Sequence, residues 1–150
     1  MPLFVDPGET AITTQTNLEM EIIEMTHPTN GTAQKLVLVL THNANDDKST
    51  VAFTIANAAL SSGMEVGIFL ASDGVEMGRE GACDYTSVKP FKPAQELVES
   101  FVTSGGVLWA CSPCVQHRGV SDTEMVDGAA VVGAGPMLEW LAQGATTLSL

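Results

Sequence analysis

The sequence predicts an α/β protein, in which a five-stranded, mostly parallel sheet lies between two layers of helices. Apolar, β-rich runs alternate along the chain with helical segments, and such alternation is typical of parallel sheets with helices on both faces. The first run, residues 36–40, is apolar at every position, as in strands buried on both faces. With 45% hydrophobic and 16% charged residues, the 150-residue chain can bury the core of one domain.

The first half of this domain predicts two strands joined by one helix. Amide and acidic side chains at 45–47 are good N-caps for a helix that runs through 51–60 and ends at Gly63. A second strand follows at 66–70. A long segment with several glycines and prolines, 72–93, is then predicted to be a loop.

The second half predicts the remaining alternation. A helix over 94–103 precedes a strand at 107–110, and Ser121 with Glu124 forms a capping-box pattern at the start of a helical segment over 122–126. A short strand at 129–132, a helix that begins near Pro136 and a last strand at 146–150 complete the sheet.

Residues 1–34 differ from the rest of the chain, since they hold five acidic residues and no Lys or Arg. We predict that they form an acidic N-terminal arm before an α/β domain over 35–150. An arm ordered by a partner subunit and a solvated tail both fit this composition.

The charge of the chain excludes several classes of partner. Six Lys and Arg residues face 18 Asp and Glu residues, so the net charge is −12. We therefore expect no direct nucleic-acid binding and no attraction to anionic membranes, because both would repel the chain. No apolar run approaches the ~20 residues that span a bilayer, and the first residues lack the pattern of a secretory signal. We expect a cytoplasmic protein.

The strongest chemical motif is Cys111-Ser112-Pro113-Cys114, which follows the third predicted strand. Backbone N–H groups at such a position stabilise a thiolate and lower its pKa, and His117 and Arg118 add positive charge nearby. Cys111, Cys114, His117 and Arg118 are therefore the candidate catalytic residues. The alternative is a buried, inert pair of cysteines.

Candidate substrate-binding residues lie in the loops after the first two strands, because ligands of parallel sheets bind beyond the carboxyl ends of the strands. They are His42, Asn45, Asp73 and Gly74. His42 is equally compatible with a capping role.

A zinc site built from Cys83, Cys111, Cys114 and His117 is a further alternative, although the spacing is tight and no second Cys-x-x-Cys pair exists. No phosphate-loop lysine or dinucleotide fingerprint is present. We expect neither a cofactor nor a metal.

Several pieces of the chain together resemble one known family. They are Thr41-His42, Asp73-Gly74-Val75, Gly106-Val107 leading to Cys111, Arg118-Gly119-Val120, and the segment from 127 to 141. Residues 35–150 thereby resemble the DsrE/DsrF-like family, which includes the TusBCD and DsrEFH sulfur-relay proteins. The spacing Cys-x7-Gly from Cys111 to Gly119 is the most specific part.

The resemblance implies a flavodoxin-like fold, assembly into homo-oligomeric trimers or hexamers, and an active cysteine at Cys111. It implies a sulfur carrier that takes persulfide sulfur from a donor protein and passes it to an acceptor protein. Cys114 and the acidic arm depart from simple relay members, and Cys114 could release the sulfur by forming a disulfide. A binding or assembly module without catalysis and a dithiol redox protein are the alternatives.

Overall fold

The computed structural model describes residues 33–150, so the predicted arm over 1–34 lies almost wholly outside the described residues. The strands are β1 (Lys35–Leu40), β2 (Glu65–Leu70), β3 (Val107–Cys111), β4 (Ala129–Val132) and β5 (Thr146–Ser149). The helices are α1 (Asp47–Ser61), α2 (Ala94–Thr103), α3 (Ser112–His117) and α4 (Gly135–Ala142), with 3₁₀ helices at Ser72–Gly78 and Asp122–Glu124. No helix in 33–150 is both long and apolar enough to cross a membrane.

The five strands form one parallel sheet in the order β4-β3-β2-β1-β5. Helices on both faces complete the three-layer α/β/α architecture, and the predicted fold class is confirmed. Because all strands run the same way, the loops after β1, β2 and β3 leave the sheet at one edge. The predicted site residues therefore share this edge.

Two segments differ from the sequence prediction. The loop expected over 72–93 begins with the 3₁₀ helix Ser72–Gly78, and the helix expected over 122–126 is only the turn Asp122–Glu124. Its predicted capping box is present. The turn cannot continue as a helix because the backbone at 124–126 hydrogen-bonds to the backbone at 78–80. The helix between β3 and β4 is instead α3.

One face of the sheet is sealed by α1 and α2. Phe53 of α1 and Phe101 of α2 are fully buried and meet edge to face, with ring centroids 5.8 Å apart. Leu38, Ile68 and Leu108 from three strands are fully buried beneath these helices. Burial of this kind stabilises the fold by about 1.5–3 kcal/mol for each large apolar side chain.

The opposite face carries a smaller cluster, formed by Val37, Phe69 and Trp109 under α4. Trp140 of α4 packs edge to face on Trp109 at 5.2 Å between centroids. None of the residues of α4 is fully buried, and Leu138 is 54% exposed. This face therefore has a thinner cover than the first.

Candidate functional site

Cys111 is the last residue of β3 and the N-cap of α3, so the strand delivers its side chain directly to the carboxyl edge of the sheet. Pro113 lies in the first helical turn, where its missing N–H is not needed. The helix ends at His117 with Arg118 as its C-cap, and Gly119 then adopts a left-handed φ of +64° that suits the residue after the cap. The spacing from Cys111 to Gly119 therefore spans α3, its two caps and the glycine that follows.

Cys111 and Cys114 form a close pair of free thiols. Their sulfur atoms lie 2.8 Å apart, and both side chains are partly buried. Val115, the next residue of α3, is fully buried and anchors the short helix in the core. The two cysteines are thus held in contact by the helix and are not joined by a disulfide.

The environment of Cys111 raises the pKa of its thiol, contrary to the sequence-based expectation of a lowered pKa. Burial is the largest cause, followed by the hydrogen bond with the Cys114 thiol. The backbone N–H of Cys114 and the charge of Arg118 act in the opposite direction but are outweighed. The sequence-based expectation took account of the backbone N–H and the nearby cation. It did not take account of the burial of Cys111 at the end of a buried strand, which disfavours the thiolate.

Ser72 contributes a backbone group that the sequence analysis missed. Its N–H donates to Cys114 Sγ at 3.3 Å. Ser72 has a φ of +51°, a left-handed conformation that costs a non-glycine residue about 1 kcal/mol. Serine does not favour this conformation, so the residue type of Ser72 did not predict it. The neighbouring Asp73-Gly74 pair was the one indication of a turn at this point.

Arg118 fastens α3 to the 3₁₀ helix Ser72–Gly78. Its guanidinium donates through Nη2 to Asp73 Oδ1 and through Nη1 to the carbonyl oxygen of Cys114 at 3.3 Å. Gly74 places this 3₁₀ helix against the end of β1, because a Cβ there would lie 2.1 Å from the carbonyl oxygen of Leu40. Asp73, Gly74, Arg118 and the two thiols are therefore brought together at the carboxyl edge of the sheet.

His42 and Asn45 have their contacts elsewhere. His42 Nε2 lies 3.3 Å from Lys48 Nζ and 3.8 Å from Oδ2 of Asp46, the residue that caps α1. Asn45 lines a separate groove that also includes Arg79 and Glu124. His117 is exposed at the carboxyl end of α3.

The hydrogen-bond contacts of Cys83 are with Met77 and not with Cys111 or Cys114. Cys83 is buried, and its Sγ lies 3.8 Å from both the carbonyl oxygen and the thioether sulfur of Met77. Burial raises the pKa of Cys83 to about 11. Among residues 33–150, no three His, Cys, Asp or Glu side chains come together as a metal site. The zinc alternative therefore has no donor set in the part of the chain described.

The chain is similar to proteins of one family. The model of the DsrE/DsrF-like family matches residues 34–150. The uncharacterized protein MJ0760 of Methanocaldococcus jannaschii is 25% identical over 107 residues, which cover 71% of this chain and 39% of that protein. The chain therefore spans well under half the length of this relative. The uncharacterized protein MK0008 of Methanopyrus kandleri is 30% identical over 95 residues, covering 63% of this chain and 75% of the relative.

Solved structures share the fold. The ychN protein from E. coli matches with a TM-score of 0.66 and 17% identity, over 79% of this chain and 100% of that chain. The protein MTH1491 from Methanobacterium thermoautotrophicum, of unknown function, matches with a TM-score of 0.59 and 20% identity, over 78% of this chain and 99% of that chain.

Proposed function

The chain belongs to the DsrE/DsrF-like family, and from this premise we propose that it is a sulfur carrier that relays persulfide sulfur through Cys111. The thiolate of Cys111 attacks the outer sulfur of a donor persulfide, and the donor leaves as a thiolate. The thiolate of an acceptor protein then takes the outer sulfur from the Cys111 persulfide. The proposed partners are thus two proteins, one that donates the sulfur and one that accepts it.

The observation that carries this proposal is the position of Cys111 at the carboxyl end of β3. The side chain is partly exposed, the backbone N–H of Cys114 favours its thiolate, and Arg118 supplies a positive charge nearby. Burial raises the pKa of the Cys111 thiol, which lowers the share of thiolate and slows loading without preventing it, because the thiolate that does form is the more nucleophilic for its higher pKa.

Intact-mass spectrometry of the full chain after incubation with cysteine persulfide tests the proposal. We expect a gain of one sulfur atom in samples quenched with acid at early times, located on Cys111 by peptide mapping. Cys111→Ser should abolish this gain, whereas Cys83→Ser, which removes a thiol outside the site, should keep it. Loading that survives Cys111→Ser would refute the assignment.

A dithiol redox protein is the second candidate, favoured by the 2.8 Å separation of the two sulfur atoms. Such a protein would exchange a Cys111–Cys114 disulfide with other dithiols and would carry no sulfur atom. A persulfide that is found on Cys111 and handed to an acceptor thiol distinguishes the carrier from this candidate.

The proposal includes a homo-oligomer, a trimer or hexamer, and a cytoplasmic location. The thin cover over Val37, Phe69 and Trp109, with the exposed Leu138 on α4, supports burial of this face against another copy. Free cysteines support a reducing compartment. Sedimentation at micromolar concentration in low and high salt should show an assembly that salt strengthens, because each subunit carries a charge of −12. A monomer in both salts would overturn the oligomer.

A further inference from the structure

The thiol of Cys114 is placed to react with sulfur bound at Cys111. The two Sγ atoms are 2.8 Å apart, which is only about 0.8 Å longer than a disulfide bond. Cys114 is turned toward Cys111 by the backbone of a six-residue helix, and its sulfur accepts the N–H of Ser72 on the other side. A relay through Cys111 alone needs neither contact.

We propose that Cys114 is a resolving cysteine, which attacks the persulfide of Cys111 and releases hydrogen sulfide. The inference rests on the proposed function, since it requires Cys111 to be loaded. It adds a second outcome for the same bound sulfur, namely reduction to sulfide in place of transfer to an acceptor protein.

The step balances in atoms and electrons. The Cys114 thiolate attacks the inner sulfur, Cys111 Sγ, and the Sγ–Sγ bond forms as the bond to the outer sulfur breaks. The outer sulfur leaves with the bonding electron pair as hydrosulfide, which is protonated to hydrogen sulfide. The two cysteines are oxidised by two electrons, the sulfane sulfur is reduced by two, and a cellular dithiol must reduce the disulfide before another cycle.

The geometry favours attack on the inner sulfur over attack on the outer one. Cys111 Sγ is the atom already beside Cys114 Sγ. Attack on the outer sulfur would expel the Cys111 thiolate, whose pKa is raised by burial and which is therefore a poorer leaving group than hydrosulfide.

The sulfur of Cys114 is held in position by the 3₁₀ helix Ser72–Gly78. The backbone N–H of Ser72 donates to Cys114 Sγ at 3.3 Å. Arg118 holds the carbonyl oxygen of Cys114 and binds Asp73, the neighbour of Ser72. These contacts hold the Ser72 amide and the attacking sulfur of Cys114 at a fixed distance from each other.

The test compares the fate of sulfur in the wild-type chain and in Cys114→Ser. Each reduced protein is mixed with a limiting amount of cysteine persulfide and quenched with acid at a series of times, and each sample is analysed by intact mass and for released sulfide. We expect the wild type to lose its sulfur at least about 100-fold faster than Cys114→Ser, because the nucleophile is held in contact. Each molecule of sulfide should accompany one Cys111–Cys114 disulfide, seen as a loss of two hydrogen atoms.

Matched variants keep the outcomes distinct. Cys83→Ser should behave as wild type, and Cys114→Ala repeats the test with a smaller side chain. Equal retention of sulfur by wild type and both Cys114 variants would overturn the resolving role while leaving the carrier intact. Disulfide formation without sulfide would also overturn it, in favour of dithiol redox chemistry. Failure of every variant to gain sulfur would instead refute the proposed function.

Discussion

The 3₁₀ helix Ser72–Gly78 has a thiol environment at each end, and the two differ in almost every respect. At its start, the Ser72 amide donates to Cys114, which touches Cys111 at the edge of the sheet. Near its end, Met77 contacts Cys83, which is 6% exposed. The first environment holds a pair of thiols with polar neighbours, whereas the second holds a single thiol among apolar side chains.

The contrast indicates that the reactivity of each cysteine is set by its position in the fold, through its burial and its polar neighbours. Cys83 behaves as a small apolar side chain, and burial, with a smaller contribution from the charge of Asp84, raises its pKa to about 11. Burial also raises the pKa of Cys111, but the backbone N–H of Cys114 and the charge of Arg118 partly oppose this effect. Three predictions test whether the two environments are as distinct as these contacts indicate.

The largest effect is expected for Gly74→Ala, which acts on both environments at once. A Cβ at this position would lie 2.1 Å from Leu40 O and 2.8 Å from the carbonyl carbon, so the 3₁₀ helix must move away from β1. We expect a loss of about 3 kcal/mol in the free energy of unfolding, measured by urea denaturation. Gly135→Ala is the control, because a Cβ there meets nothing within 4 Å. If Gly74→Ala and Gly135→Ala had the same free energy of unfolding, the approach of residue 74 to the carbonyl group of Leu40 would not be tight.

The second prediction concerns alkylation at pH 8 by iodoacetamide. In a Cys111→Ser/Cys114→Ser chain, Cys83 should react at least about 100-fold more slowly when folded than in denaturant, because two pKa units remove that share of the thiolate. In Cys83→Ser, at least one thiol of the pair should stay within about tenfold of its rate in denaturant. If folding slowed alkylation to a similar degree in both proteins, the two thiol environments would not differ in reactivity.

The smallest effect is a dependence of stability on pH. Because the pKa of Cys83 is about 11 in the folded chain and 9.0 ordinarily, the folded state keeps a proton that the unfolded state loses between these values. Stability from this group is complete below pH 9 and falls as the pH rises to 11, by about 2 kcal/mol. Thermal denaturation of wild type and Cys83→Ala across this range gives the difference. Parallel curves would contradict the raised pKa.

Much of the fold was predictable because it depends on local patterns of hydrophobicity. The continuous apolar run at 36–40 predicted a buried parallel strand, and β1 lies at Lys35–Leu40 between β2 and β5. The helix at 94–103 was predicted with the bounds that α2 has. The segment 122–126 was predicted wrongly, since its capping box is real but pairing with 78–80 ends the helix after one turn.

The residues alone were enough to predict the succession of strands and helices along the chain and the position of Cys111 at a strand end, because both follow from periodicity and turn residues, which are local properties. The resemblance to the DsrE/DsrF-like family came from motifs that match the family. The folded chain was needed to show that Ser72 donates to Cys114, that His42 meets Asp46 and Lys48, and that the pKa of Cys111 is raised. Those outcomes depend on contacts between groups far apart in sequence and on the burial of side chains away from water. Neither can be inferred from the local pattern of residues.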